Sequence, residues 1–171
     1  MATIEKDLSH YDQDAIPSVN KMKFGIVVSE WNSKITNGLL TGAQKTLLKL
    51  KVPKENICVH YVPGAFELAL GAQHMLEYTD IDGVIALGSI IQGETKHFDF
   101  VCQGATKGIM DVSVKYNKPV IFGVLTDNNM QQAIDRSGGK HGNKGIECAI
   151  ACVKMIDLKR QIKSPENTIG F

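Results

Sequence analysis

Four short, unbroken runs of β-forming apolar residues, separated by segments with helical periodicity, restrict this chain to a small set of folds. The runs are FGIVVS (Phe24–Ser29), ICVHYV (Ile57–Val62), GVIALGSII (Gly83–Ile91) and VIFGVLT (residues 120–126). None alternates apolar with polar, so each reads as a strand covered on both faces, the condition of a parallel sheet. Between them Ile35, Leu39, Ala43, Leu47 and Leu50 recur at helical spacing, as do Val101, Ala105, Ile109 and Val112. A shorter helix is expected over residues 67–77, and Ile146, Ala149, Ile150, Val153 and Ile156 mark a long final one. Strands alternating with amphipathic helices predict βαβ units. The fold class is α/β: three αβα layers, flavodoxin-like, with a four-stranded parallel sheet flanked by helices.

Length and charge narrow the function classes. At 171 residues one domain suffices, and 43% hydrophobic with 22% charged residues suits a packed core rather than disorder. Residues 1–20 lack a sustained apolar period and read as a polar N-terminal arm whose ordering needs a partner surface; residues 21–171 read as the single α/β domain. Nineteen basic and eighteen acidic residues are interspersed, which leaves no basic footprint for nucleic acid. No run approaches the ~20 apolar residues of a membrane span. The opening MATIEKDLSHYDQD has neither the charged nor the apolar region of a secretory signal, so a cytoplasmic location is expected. Cys58, Cys102, Cys148 and Cys152 lack CxxC spacing and sit among apolar neighbours, as reduced core thiols do. No metal set is apparent around them.

Chemistry is expected where the strands end, because open α/β sheets bind ligands outside their carboxyl edges. Those junctions read SEWNSK, VPGAFE, SIIQGETKHFD and TDNN. The segment from Gly88 to Thr95 is one residue from a P-loop, with Glu94 in the place of the phosphate-binding lysine, which excludes a nucleotide triphosphatase. What survives is a glycine turn feeding a helix N-terminus, whose free N–H groups hold a single phosphate with the Thr95 hydroxyl; the alternative is an ordinary cap by Thr95. His97, beside Asp99, is a candidate proton shuttle or a surface capping residue. Arg136 precedes a glycine-rich loop and suits bidentate phosphate recognition, or is a solvated helix-end charge. Trp31, the one tryptophan, is placed to stack on a flat ligand. Phe66 and Glu67 offer an apolar wall and a hydroxyl-binding carboxylate, or simply begin a helix.

Taken together, FGIVVSEWN, VPGAFELA, ALGSIIQGETKHFDFVCQGATKGI, KPVIFGVLT and QAIDRSGGKHGNKGIECA resemble the lumazine synthase family, in order over residues 23–155. The resemblance implies condensation of 5-amino-6-(D-ribitylamino)uracil with 3,4-dihydroxy-2-butanone 4-phosphate, without metal or organic cofactor. By matching position, Trp31 stacks on the pyrimidine, with Asn32 assisting. Ala65, Phe66 and Glu67 hold the ribityl chain and ring, and the backbone of Ser89, Ile90 and Ile91 reads the uracil edge. Glu94 and Thr95 receive the phosphate through backbone amides and the hydroxyl, and His97 transfers protons. Phe122 and Arg136 are implied to close the site from a neighbouring subunit, Arg136 on the phosphate, with Lys144 as a further contributor.

The same resemblance implies a homo-oligomer with shared active sites, a pentamer that the short SGGKHGNKG turn lets go on to an icosahedral capsid, and riboflavin synthase as a further partner. Two other classes remain open on the residues alone. A flavodoxin-like module would hold a flavin-like ring with the same loops and no chemistry, and His97 beside a phosphate cradle is the feature that favours an enzyme. A shell-forming structural protein is compatible with the enzyme, because the family it resembles assembles into pentamers or icosahedral capsids.

Overall fold

The computed structural model describes residues 9–13 and 15–163. Four parallel strands, β1 (Phe24–Ser29), β2 (Ile57–Val62), β3 (Gly83–Ile91) and β4 (Val120–Asp127), lie in the order β2-β1-β3-β4. β1 pairs with β2 from Phe24 opposite Ile57 to Ser29 opposite Val62, and β3 pairs with β4 from Val84 opposite Val120 to Ile91 opposite Asp127. Helices α1 (Ser33–Lys49), α2 (Leu68–Tyr78), α3 (His97–Tyr116), α4 (Met130–Arg136) and α5 (Lys144–Lys163) complete the order, with a small hairpin of β5 (Ser137–Gly139) and β6 (Gly142–Asn143) before α5. The three-layer α/β expectation holds.

The alternation of side chains along each strand sorts the core into two layers. Phe24, Ile26 and Val28 of β1 join Ile85, Leu87 and Leu125 under α1 and α5. Val27 joins Val84, Ala86, Ile90 and Val124 under α2 and α3. The apolar stripe of α1 is buried along its length at Ile35, Leu39, Ala43 and Leu47. Each such side chain contributes about 1.5–3 kcal/mol by leaving water. α1 and α5 approach closely because Gly145 has no side chain: a Cβ there would lie 2.0 Å from the Leu39 carbonyl oxygen.

Several features depart from the sequence reading. β2 is not covered on both faces; it is the sheet edge, and His60 and Tyr61 are exposed. Cys58 and Cys102 are only half-buried, whereas Cys148 and Cys152 are core thiols. The stretch after β4 forms α4, capped by the Asn129 side chain, which accepts the Gln132 N–H at 3.0 Å. The SGGKHGNKG turn closes into a hairpin, with Asn143 donating to the carbonyls of Gly38 and Ser137. Parts of the N-terminal segment find their surface within the chain: Val19 is buried, Ile16 packs on the core, and the Ser9 hydroxyl accepts the Asn143 N–H. The rest of that segment, residues 1–8 and 14, lies outside the described residues. Among the described residues no helix is long and apolar enough to cross a membrane.

Candidate active site

The strand order reverses between β1 and β3, since the chain moves from β1 outward to β2 and then back across to β3 and β4. Loops leaving neighbouring strands at such a point diverge to opposite faces and open a crevice. A cavity of about 620 Å³ lies here, within the size range of small-molecule sites. Its wall takes Trp31 and Asn32 from the loop after β1, residues 64–67 from the loop after β2, Ser89, Ile90 and Ile91 from β3, and Gly93, Thr95, His97, Phe98, Phe100 and Val101 from the start of α3.

Local geometry fixes these groups. Asn32 adopts a left-handed backbone (φ 58°, ψ 44°), which asparagine tolerates better than most residues. Its carbonyl accepts the N–H groups of Ile35 and Thr36, starting α1, so its side chain is free to cross to β3 and donate to the Ser89 carbonyl at 3.0 Å. Trp31 beside it is 73% exposed and presents its ring at the rim. Phe66, 60% exposed, lies against α3, where a Cβ on Gly104 would come within 2.5 Å of its ring. At the foot of α3 the Thr95 hydroxyl accepts the His97 N–H at 3.3 Å, which leaves its own proton to donate. His97 is exposed on the same wall. Below, the Ser29 and Ser89 hydroxyls are buried without a protein partner.

Of the residues read from the sequence, Trp31, Asn32, Ala65, Phe66, Glu67, Ser89, Ile90, Ile91, Thr95 and His97 converge on this one cavity. Glu94 lies in the exposed loop alongside it without lining it. Phe122, Arg136 and Lys144 do not line it either. Arg136 donates to the His141 carbonyl at 2.6 Å and to Glu147 Oε1 at 2.5 Å, and Lys144 donates to Glu147 Oε2 at 3.0 Å. Glu147 thus holds both cations in one half-buried cluster. Behind it Asp127 is held above the usual carboxylate range by burial, with the Arg136 charge pulling the other way. Among the described residues no lysine or arginine lines the cavity itself.

Phe98, Phe100, Val101, Gly64 and Gly93 also line the cavity and were not singled out from the sequence; Phe98 and Phe100 flank His97 closely enough that their place on the first turn of α3 was a usable signal. Glu147 carried a weaker one, three residues after Lys144 on the start of α5. Among the described residues no group of three or more His, Cys, Asp or Glu side chains is gathered as a metal site would require.

Fold and cavity together define a small α/β enzyme with a crevice of small-molecule size at the carboxyl edge of a parallel sheet. The family model for 6,7-dimethyl-8-ribityllumazine synthase matches residues 21–160, and the chain belongs to that family. A synthase of that name from Flavobacterium johnsoniae is 57% identical over 161 residues, covering 94% of this chain and 85% of that one. Those from Christiangramia forsetii and Cytophaga hutchinsonii are 53% and 54% identical, covering 95% and 91% of this chain and 98% of each relative.

Proposed function

We propose that this enzyme condenses 5-amino-6-(D-ribitylamino)uracil with 3,4-dihydroxy-2-butanone 4-phosphate to 6,7-dimethyl-8-ribityllumazine, releasing phosphate and water. The observation that carries the reading is that two exposed aromatic rings, Trp31 and Phe66, and an imidazole, His97, at a helix N-terminus line one cavity. Trp31 stacks on the pyrimidine, with Phe66 and Glu67 along the ribityl chain. The backbone of residues 89–91, on the cavity wall, reads the uracil edge. The amide end of α3, with Glu94 backbone and Thr95 hydroxyl, receives the phosphate, where the positive end of the helix dipole favours an anion.

The amine of the pyrimidine attacks the ketone to give an imine with loss of one water; phosphate then leaves, the product tautomerises, and the ring closes with loss of a second water. No protein nucleophile enters this sequence. Holding the two substrates together supplies about 7–11 kcal/mol of the barrier. His97 moves protons at the reacting carbon and nitrogen, a contribution of about 10² to 10⁴ in rate.

That Arg136 and Lys144 lie outside the cavity lined by the other site residues supports a shared site. Arg136, Phe122 and Lys144 of one subunit then complete the cavity of the next, Arg136 on the phosphate. Such a contact uses different surfaces on its two sides and closes into a ring, here a pentamer, with the short β5–β6 hairpin permitting an icosahedral capsid. The enzyme works in the cytoplasm, with riboflavin synthase as the partner that takes its product. Mixing the purified protein with both substrates and following lumazine fluorescence tests the reaction: product above the uncatalysed background is expected, and folded protein giving none overturns it.

A further inference from the structure

Asn143 is an enclosed polar residue, 7% exposed, and both the nitrogen and the oxygen of its side-chain amide are hydrogen-bonded. We propose that Asn143 is a positioning residue, a role that rests on the phosphate binding proposed above for Arg136: its amide fixes the hairpin from which Arg136 reaches the phosphate. Arg136 immediately precedes β5, and Asn143 ends β6 opposite Ser137 in the strand register. Asn143 Nδ2 donates to the Ser137 carbonyl at 3.0 Å and to the Gly38 carbonyl on α1 at 2.9 Å. Its Oδ1 accepts the Gly145 N–H at 2.8 Å. One amide therefore ties the residue after Arg136 to α1 and to the start of α5.

The junction has no slack. A Cβ on Gly42 would lie 2.4 Å from Asn143 Oδ1, and one on Gly38 would lie 2.6 Å from the Ser137 carbonyl oxygen, so α1 meets the hairpin at backbone distance. α1 is itself seated in the core by Ile35, Leu39 and Leu47, which makes it a fixed reference for what is tied to it. Arg136 donates to the His141 carbonyl and to Glu147. Those bonds hold the guanidinium to the hairpin and to α5, while the Asn143 amide holds the hairpin to α1. Asn143 is uncharged and does not line the cavity, so its effect on a bound anion runs through the cation it places. Aspartate at this position keeps the acceptor that Gly145 uses, but sets an oxygen against two carbonyls that each lose a donor.

The test is a four-member cycle of assembled enzymes: wild type, Asn143→Asp, Arg136→Ala and the double variant, with KM measured separately for the two substrates. Asn143→Asp is expected to raise the KM of the phosphorylated substrate by about tenfold, with the pyrimidine KM within about twofold of wild type. Beside Arg136→Ala the same substitution is expected to add less than about twofold, because the group it positions is gone. Should Asn143→Asp fail to fold, Asn143→Ser takes its place in the cycle, since it gives up the amide without adding a buried charge. Equal rises in both KM values, a rise under about threefold, or the full rise persisting beside Arg136→Ala overturns the positioning role. Wild-type enzyme that makes no lumazine sinks the proposed reaction; wild type that makes it, with any of those three outcomes, sinks the role of Asn143 alone.

Discussion

The cavity and the Arg136–Glu147–Lys144 cluster sit on opposite terms with their surroundings. The cavity is aromatic and open, the Ser89 hydroxyl on its wall lacks a protein partner, and among the described residues no lysine or arginine lines it. The cluster is the reverse: two cations already paired to one carboxylate, half-buried, on α4 and α5. On the proposed reading the pocket receives a phosphorylated substrate and the cationic group holds its charge, two tasks that would ordinarily fall to one structure. Here each is prepared separately, the first left unsatisfied and the second held rigid. Glu147 orients the Arg136 guanidinium while using only part of its donor set, so N–H groups remain for an anion.

The comparison can be broken at either member. His97→Ala should lower turnover by about 10² to 10⁴ with ligand affinity little changed, because proton transfer belongs to the transition state. Steady-state kinetics beside equilibrium binding separates the two, and a loss of only about twofold would return His97 to a surface role. Arg136→Ala should cost about 10- to 100-fold, expressed in the KM of the phosphorylated substrate alone, since one charge-assisted hydrogen-bonding group is lost. An equal rise in the KM of the pyrimidine would show a general collapse of the cluster instead.

Mixing sharpens the contrast further. When His97→Ala and Arg136→Ala chains are unfolded together and reassembled in equal amounts, about a quarter of subunit contacts join an intact histidine to an intact arginine. Activity should return to about that fraction of wild type if the two regions serve one site across a boundary. No recovery would put both within one chain.

The smallest effect tests the core beneath the cluster. The Cys148 thiol is raised by burial from its ordinary 9.0 to about 12, so the folded state keeps a proton that the unfolded state releases above 9. Stability is therefore fully present below 9 and falls as pH rises toward 12, by up to about 1.4 kcal/mol per pH unit for this group. Denaturant midpoints measured on either side of 9 should show a shallower decline in Cys148→Ala, and an unchanged slope would detach the alkaline loss from this thiol.

Much of this was legible because burial on two faces leaves a plain mark. β1 and β3 were delimited to the residue by their apolar runs, and the cavity loops by the polar and aromatic groups that follow them. β2 carries the same kind of run, ICVHYV, yet has one free side; a sequence run records hydrophobicity and not which strand stands outermost. α4, at seven residues, is too short to show a period, and the glycines that read as a loop form the hairpin. That hairpin brings Arg136 to Glu147 across eleven positions, a meeting no local pattern announces.

Gly104 sits outside the cavity, yet it fixes how wide the cavity is. The Phe66 ring rests where a methyl group on α3 would otherwise stand, so the distance from that ring to the facing wall is set by the missing methyl behind it. Any larger residue at 104 must displace that ring, and so changes the shape of the cavity wall with no change to a residue that lines it. The width of the slot is thus adjustable from its far side, and ring size is the property such an adjustment selects.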